Sequence, residues 1–376
     1  MDWKPFLTSN ASTEGERPDI IILVITLILV TVGTAMIYSS SSIMAMEKFK
    51  DAQYFLKKQI FFVTAGMIAM VLMTRLDYHR LKKLAYPGIA FSIIMLLLIF
   101  IPYVGIRAGG ARRWLNLGFF SFQVSELVKI CIILFLAHFL SRKMNYLKSF
   151  SRGMLVPLLV TFFIIGLIIM EPDFGTAVII AVILMLMLFL AGCRVRYLAG
   201  LTAMLIPAAV WMIMFKSYRL DRLKVFLNPW NDPGNKGFQI IQSLLSFGSG
   251  GTFGVGIGDG MQKLFYLPEP HTDFILSVIA EESGFVGVVV VIFLFGILIV
   301  RGFMVAFRAP DLFGTLLAAG LTMVLAMGAF INIAGVMGLI PLKGLTLPFL
   351  SYGGTSLIMS LVAVGILLNI SSHELT

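Results

Sequence analysis

A carboxylate, Asp273, closes the polar run LPEPHTD (267–273) and stands directly against a long apolar segment. Pro268 and Pro270 stiffen the approach to it, and His271 and Thr272 immediately precede it. Thr272 is suited to cap the helix that Asp273 opens, and an acid in a first helical turn can serve only as a partner for the helix dipole. The cations of other loops argue for more. Arg107, Arg112, Arg113, Arg219, Arg222, Lys224, Lys236, Lys263 and Lys343 all fall in segments able to share one face with Asp273. A carboxylate among cations suits a transfer whose leaving group is anionic. The acid takes a proton from an acceptor hydroxyl while the cations hold a phosphate or diphosphate. Arg112, Arg113, Arg219 and Arg222, with His271 and Thr272, are the candidates for holding substrate. An unperturbed Asp titrates near about 3.9 and is ionised at neutral pH; desolvation would raise that value, while cations and the helix dipole would lower it.

Other ionisable groups lie inside apolar runs. Glu126 and Lys129, three apart in SFQVSELVKICII, share one helix face, either as a structural ion pair or as the lining of a functional cavity. Glu281 and Glu282 follow Asp273 by roughly 12–13 Å along a helix, near mid-depth of a core of about 30 Å. They either pair structurally or line a route for a headgroup or a proton. GSGGTFGVGIGDG (248–260) lacks the GxGxxG spacing and the strand–helix context of a nucleotide site. It reads as a tightly turned loop, or as backbone brought close to a bulky polar ligand.

Other catalytic templates fail. There is no nucleophile elbow and no HExxH, and the four scattered His make no zinc site. Cys131 and Cys193 supply neither a disulfide framework nor metal-ligand spacing. The net charge of +10 is spread over short loops, which points to anionic lipid and an anionic substrate and away from nucleic acid.

These residues must be positioned by a membrane bundle. Of 376 residues, 59% are hydrophobic and 13% charged, and the mean hydropathy is +0.97. A soluble domain carries about twice that charged fraction. Ten apolar runs, near 20–40, 60–74, 84–103, 122–141, 153–170, 174–192, 197–215, 273–300, 311–337 and 344–369, predict an all-α polytopic membrane protein, a single transmembrane domain over residues 1–376. The polar start, 1–19, lacks the features of a cleaved signal peptide and reads as a cytoplasmic tail. EPD (171–173) reads as a tight hairpin, because Pro172 stops a continuous helix. With both termini inside, the inner segments carry 14 Lys/Arg and the outer short loops 8, which favours cytoplasmic termini. The long segment 217–272 between the seventh and eighth spans is then extracytoplasmic. Its two amphipathic stretches, 219–227 and 238–247, predict a shaped cap over the membrane domain.

In GGARRWLNLG, FSFQVSELVK, EPDFGTA, YRLDRLKVFLNPWNDPGNKGFQIIQSLLSFGSGG, QKLFYLPEPHTDFILSVIAEE and GLIPLKGLTLPFLSYGGTS, the chain closely resembles the SEDS family (shape, elongation, division and sporulation). These motifs run from Gly109 to Ser356, and the ten-helix plan extends the likeness over nearly the whole chain. The Lys343-Gly-Leu-Thr-Leu-Pro form resembles the division branch more than the elongation branch. Val124 stands where the family often has Pro, and Thr355 where it often has Ser. The resemblance implies a peptidoglycan glycosyltransferase that polymerises lipid II into glycan during septal wall synthesis, at the bacterial cytoplasmic membrane and its division septum. It implies that Asp273 is the catalytic acid residue and that Lys343 and Glu269 occupy positions implicated in activity or its control. Implied partners are lipid II, undecaprenyl-diphosphate-linked glycan, a class B penicillin-binding protein and other divisome proteins. A divalent cation, Mg or Mn, is a candidate aid to the departing diphosphate. A lipid II flippase and a division scaffold are the competing readings.

Overall fold

The computed structural model describes residues 18–108, 111–116, 118, 120–147, 149–215, 217–235, 237–261, 270–342 and 344–373. Glu269, Lys343, Lys236 and Lys263 lie outside them. Ten apolar helices form the bundle: α1 (Ile20–Phe49), α2 (Tyr54–Arg75), α3 (Ala85–Ile99), α4 (Val124–Arg142), α5 (Leu155–Met170), α6 (Phe174–Leu190), α7 (Val195–Phe215), α10 (Ile275–Arg308), α11 (Leu312–Val336) and α12 (Gly354–Ser371). Eight of these spans are long and apolar enough to cross a membrane, α3 being counted with the turn at Tyr78–Leu84 that leads into it, and α5 and α6 are shorter apolar helices. Two amphipathic helices, α8 (Ser217–Leu227) and α9 (Phe238–Gly250), fill the long segment between α7 and α10, where the sequence predicts them.

Some boundaries differ from expectation. The second span is longer than 60–74 because it starts at Tyr54. The last helix begins only at Gly354, since Gly344, Pro348 and the Gly353–Gly354 pair hold the preceding residues in turns. Between α3 and α4 the chain forms an antiparallel sheet of β1 (Gly105–Ala108), β2 (Ala111–Asn116) and β3 (Ser121–Gln123), in the order β1-β2-β3. Its register places Ile106 opposite Trp114 and Leu115 opposite Phe122.

Acidic side chains start several helices. Asp19 accepts from the amides of Ile21 and Ile22 to cap α1, Asp173 caps α6 through Thr176, and Asp311 caps α11 through Gly314. Each satisfies N–H groups that a helix start leaves without a partner. α4, α11 and α12 form the centre of the bundle, whereas α7 is largely surface. α12 packs on α2 through glycines. A Cβ at Gly66 would meet Leu361, and one at Gly365 would come within 2.5 Å of the Met70 carbonyl oxygen. Small residues let apolar helices approach closely where no hydrophobic force drives them together in lipid.

Two rungs between α1 and α10 measure the bundle. Asp19, at the foot of α1, accepts from Arg301 Nε at 2.9 Å, and Ser39 donates to Glu282 at 2.8 Å. The rungs are about twenty residues apart in each helix, ~30 Å at 1.5 Å per residue, which is the thickness of a bilayer's hydrocarbon core. The Ser39–Glu282 contact therefore lies about one hydrocarbon-core thickness along the bundle from the Asp19–Arg301 contact.

α10 is broken. Gly284 adopts φ 66° and ψ −164°, so the amides of Phe285 and Val286 turn away from the carbonyls of Glu281 and Glu282. The glycine-rich segment makes good all four groups. Phe285 and Val286 donate to the carbonyls of Gly251 and Thr252 at 2.9 and 3.1 Å, while Val255 and Gly256 donate to Glu281 and Glu282 at 3.0 and 3.1 Å. Non-helical backbone at a membrane edge survives only when its polar groups find such partners. The glycines are what let the backbones meet: a Cβ on Gly254 would lie 2.1 Å from the Glu282 oxygen. The backbone of 251–256 is thus brought close to α10.

Candidate functional site

Asp273 lies in the turn that precedes α10, two residues before the first helical residue. The helix is capped at Phe274 with no side-chain cap, so Thr272 does not fill the capping role its type suggests and Asp273 does not open the helix. Asp273 and Thr272 are both half-buried. The Asn332 side-chain amide, on α11, donates to the main-chain oxygen of Asp273 at 2.9 Å and to that of Leu345 at 2.6 Å. This bond ties the Asp273 turn to the loop between α11 and α12. Gly344, at φ 63°, packs against the carboxylate: a Cβ there would come within 3.2 Å of Asp273 Oδ2. Lys343 adjoins Gly344 in the chain but lies outside the described residues, as does Glu269.

His271 is buried, at 5% exposure, with its ring 4.4 Å from that of Phe55 and 5.6 Å from that of Tyr352. Its carbonyl accepts from the Tyr352 amide at 2.8 Å. Burial, with Lys48 nearby, pushes its pKa down to about 4, so it is neutral at physiological pH. The ring therefore fixes the turn between α2 and the start of α12 and supplies no positive charge to a substrate.

Three of the four candidate arginines gather beside this turn. Arg219 of α8 sits over the ring of Phe174, at the start of α6, at 5.0 Å, and donates to the Met212 carbonyl. Arg222 donates to the Leu342 carbonyl at 3.4 Å. Arg113 of β2 donates to the carbonyls of Glu171 and Pro172. The loop and the hairpin touch, since Leu345 packs on Gly175, the second residue of α6. Arg112 is the exception. It immediately precedes Arg113 on the same strand and so points to the other face, and among the described residues its Nε is buried without a partner.

Beneath the loop lies a small cavity lined by Glu126, Lys129, Ile179, Leu325, Leu345, Thr346, Pro348, Ser356 and Ser360, among others. Glu126 and Lys129 are both buried and joined at 2.9 Å. The two readings of this pair meet, because it is a closed ion pair and it lines a cavity. Glu281 accepts from the Met261 amide at 2.7 Å, and Glu282 accepts from Ser39. Both secure the glycine-rich segment and α1 around the break in α10. Among the described residues no three His, Cys, Asp or Glu side chains come together as a metal site.

Sequence reasoning did not single out Glu171, Asn332 or Tyr352. Glu171 belongs to a motif read only as a hairpin, and both its carboxylate oxygens are buried without a hydrogen-bond partner. Asn332, a lone amide in an apolar run, was the signal available for the tie between Asp273 and Leu345.

The family model described as cell cycle protein, spanning FtsW, RodA and SpoVE, matches residues 19–376. A protein of Geobacter sp. (strain M18) named "Probable peptidoglycan glycosyltransferase FtsW" is 46% identical over 358 residues, covering 95% of this chain and 98% of its own. Stage V sporulation protein E of Bacillus subtilis (strain 168) is 42% identical over 363 residues, 96% of this chain and 99% of its own. Among solved structures, a chain from work on structural coordination of polymerization and crosslinking by a peptidoglycan synthase complex superposes with a TM-score of 0.77 at 32% identity, covering 94% of this chain and 97% of that one. The rod shape determining protein RodA of Thermus thermophilus superposes with a TM-score of 0.67 at 27% identity, covering 94% of this chain and 96% of that one.

Proposed function

The chain belongs to the FtsW/RodA/SpoVE family of cell cycle proteins, and on that premise we propose that Asp273 is the general base of its reaction. The protein is a multi-pass membrane peptidoglycan glycosyltransferase that acts in septal cell-wall synthesis. In the reaction, Asp273 takes the proton from the 4-hydroxyl of a lipid-linked acceptor sugar as that oxygen attacks the anomeric carbon of the donor. Attack opposite the leaving diphosphate inverts the α linkage and leaves a β-1,4 glycan. The turn that bears the carboxylate is held in place through its main chain before substrate arrives, and such preorganisation is what makes a weak base effective.

Arg113 of β2 and Arg219 and Arg222 of α8 approach from two elements and surround the place where the undecaprenyl diphosphate leaves, with Lys343 next to Gly344. Cations already in position stabilise the charge that develops there. A divalent cation, Mg or Mn, would share the charge of the departing diphosphate with these side chains. Lipid II is the substrate, and both termini are cytoplasmic, which puts Asp273 on the outer face. A class B penicillin-binding protein is the partner that cross-links the product, and the septum, with other divisome proteins, is the place of action.

The observation that carries this reading is the hydrogen-bonded tie from Asn332 to both Asp273 and Leu345, which joins the carboxylate to the loop and hairpin where the arginines converge. Against the flippase reading, Glu126 and Lys129 neutralise one another and offer no free charge along a path through the bundle. The test is lipid II polymerisation in detergent by wild type and Asp273→Asn, each with and without the transpeptidase partner. Loss of polymerisation in a folded Asp273→Asn protein is expected. Wild-type rates from that variant would remove Asp273 from the role.

A further inference from the structure

The hairpin between α5 and α6 contains a group that the reaction above does not use. Glu171 is 1% exposed, and neither carboxylate oxygen has a hydrogen-bond partner. An ionised carboxylate in such a place is costly unless it is paired. The nearest cation does not pair with it: Arg113 spends its guanidinium on the main-chain carbonyls of Glu171 and Pro172. The other acid of the hairpin, Asp173, is buried and committed to capping α6, accepting from the amide and the hydroxyl of Thr176 at 3.2 and 2.8 Å. A second negative charge beside Asp173 is therefore repelled. These are the charged groups that face Glu171 among the described residues; the Glu126–Lys129 pair on α4 is closed on itself.

We propose that Glu171 works as a neutral, proton-bearing positioning residue, and that losing its proton displaces the hairpin from the Asp273 loop and switches polymerisation off. The coupling is short. A charge on Glu171 would draw the Arg113 guanidinium from the hairpin carbonyls and push on Asp173, loosening the start of α6. Gly175 supports Leu345 there, and Leu345 shares Asn332 with Asp273. The direction of titration agrees: burial first, then Asp173, pushes the Glu171 pKa from near 4.5 up to about 8, against a smaller pull from Arg113. This inference rests on Asp273 as the base, but its proton can be measured without turnover.

The decisive comparison is Glu171→Gln, which keeps the shape and cannot ionise. Wild-type polymerisation should fall about fivefold between pH 8 and pH 9, as the protonated fraction drops from about one half to about one eleventh. The Gln variant should keep its neutral-pH rate and show no such fall. Two further readings are independent of activity. Infrared spectra of wild type with isotope-labelled glutamate should show a protonated carboxyl at pH 7 that is lost above pH 8 and absent from Glu171→Gln. The variant's gain in Tm over wild type should also grow from pH 5 to pH 8 and then level off. The sign follows from a folded pKa above the unfolded one, which costs stability as pH rises through that window. A Gln variant that retains the alkaline fall, or a labelled carboxyl already ionised at pH 7, overturns the proposal. A fully active Asp273→Asn would sink the assignment of the base and leave the Glu171 proton standing.

Discussion

Asn332 and Asp273 are joined by a 2.9 Å hydrogen bond from the Asn amide to the Asp main-chain oxygen, and the same amide reaches Leu345 at 2.6 Å. One buried side chain thus sets the distance between the base-bearing turn and the loop that borders the arginines. Asn332→Ala leaves two carbonyls without a donor, at about 1–3 kcal/mol for each buried group left unsatisfied. The expected outcome is a lowered Tm together with a fall of tenfold or more in turnover per folded molecule. Unchanged turnover with the same loss of stability would make Asn332 a purely structural tie.

The break in α10 is expected to be intolerant of any side chain. A Cβ on Gly284 would lie 2.3 Å from the Gly254 nitrogen, in a backbone at φ 66° that L residues rarely adopt. Gly284→Ala must either restore a helical φ, orphaning the four groups that the glycine-rich segment satisfies, or push that segment away. Several kcal/mol is the scale of such backbone and unsatisfied-group effects. Gly296, on the same helix, has nothing within 4 Å of its Cβ position, so Gly296→Ala is the control and should be neutral or stabilising. Thermal unfolding of both variants in detergent separates the two cases.

How far the sequence disclosed this arrangement depends on which groups carry the information. The ten spans, the EPD hairpin and the amphipathic α8 and α9 were legible because each is written in local apolar periodicity or a proline stop. The gathering of Arg113, Arg219 and Arg222 beside Asp273 was legible only as shared sidedness, since no local pattern encodes a contact between β2 and the α5–α6 hairpin. The docking of 251–256 onto α10 was not legible. It is backbone meeting backbone across some thirty residues, and glycines report only that something comes close. The sheet between α3 and α4 escaped because its strands are short and bear arginines where an apolar alternation would mark them.

His271 gives the protein an acid sensitivity with a defined window. Its folded pKa of about 4 lies below the 6.5 of an ordinary histidine, because burial disfavours the charged ring. The unfolded chain therefore takes up a proton first as pH falls. Stability is lost between pH 6.5 and pH 4, by no more than about 3 kcal/mol at 1.36 kcal/mol per unit. His271→Phe should keep the contacts with Phe55 and Tyr352 while flattening the pH dependence of Tm across that window. A variant as acid-sensitive as wild type would place the sensitivity elsewhere.

The Glu126–Lys129 pair tests what the cavity under the loop is for. Both groups are buried and joined at 2.9 Å, so Lys129→Met strands a carboxylate in an apolar bundle. Breaking a buried pair in this way costs about 3–5 kcal/mol, whereas replacing both partners with neutral groups is often nearly neutral. Glu126→Gln with Lys129→Met should accordingly recover most of the Tm lost by Lys129→Met alone, and a double-mutant cycle reads that coupling directly. Turnover then separates packing from chemistry. If the pair only supports the Leu345–Pro348 loop, the double variant recovers polymerisation along with stability. If its charges order water or substrate in the cavity, the double variant folds as well as wild type and stays slow.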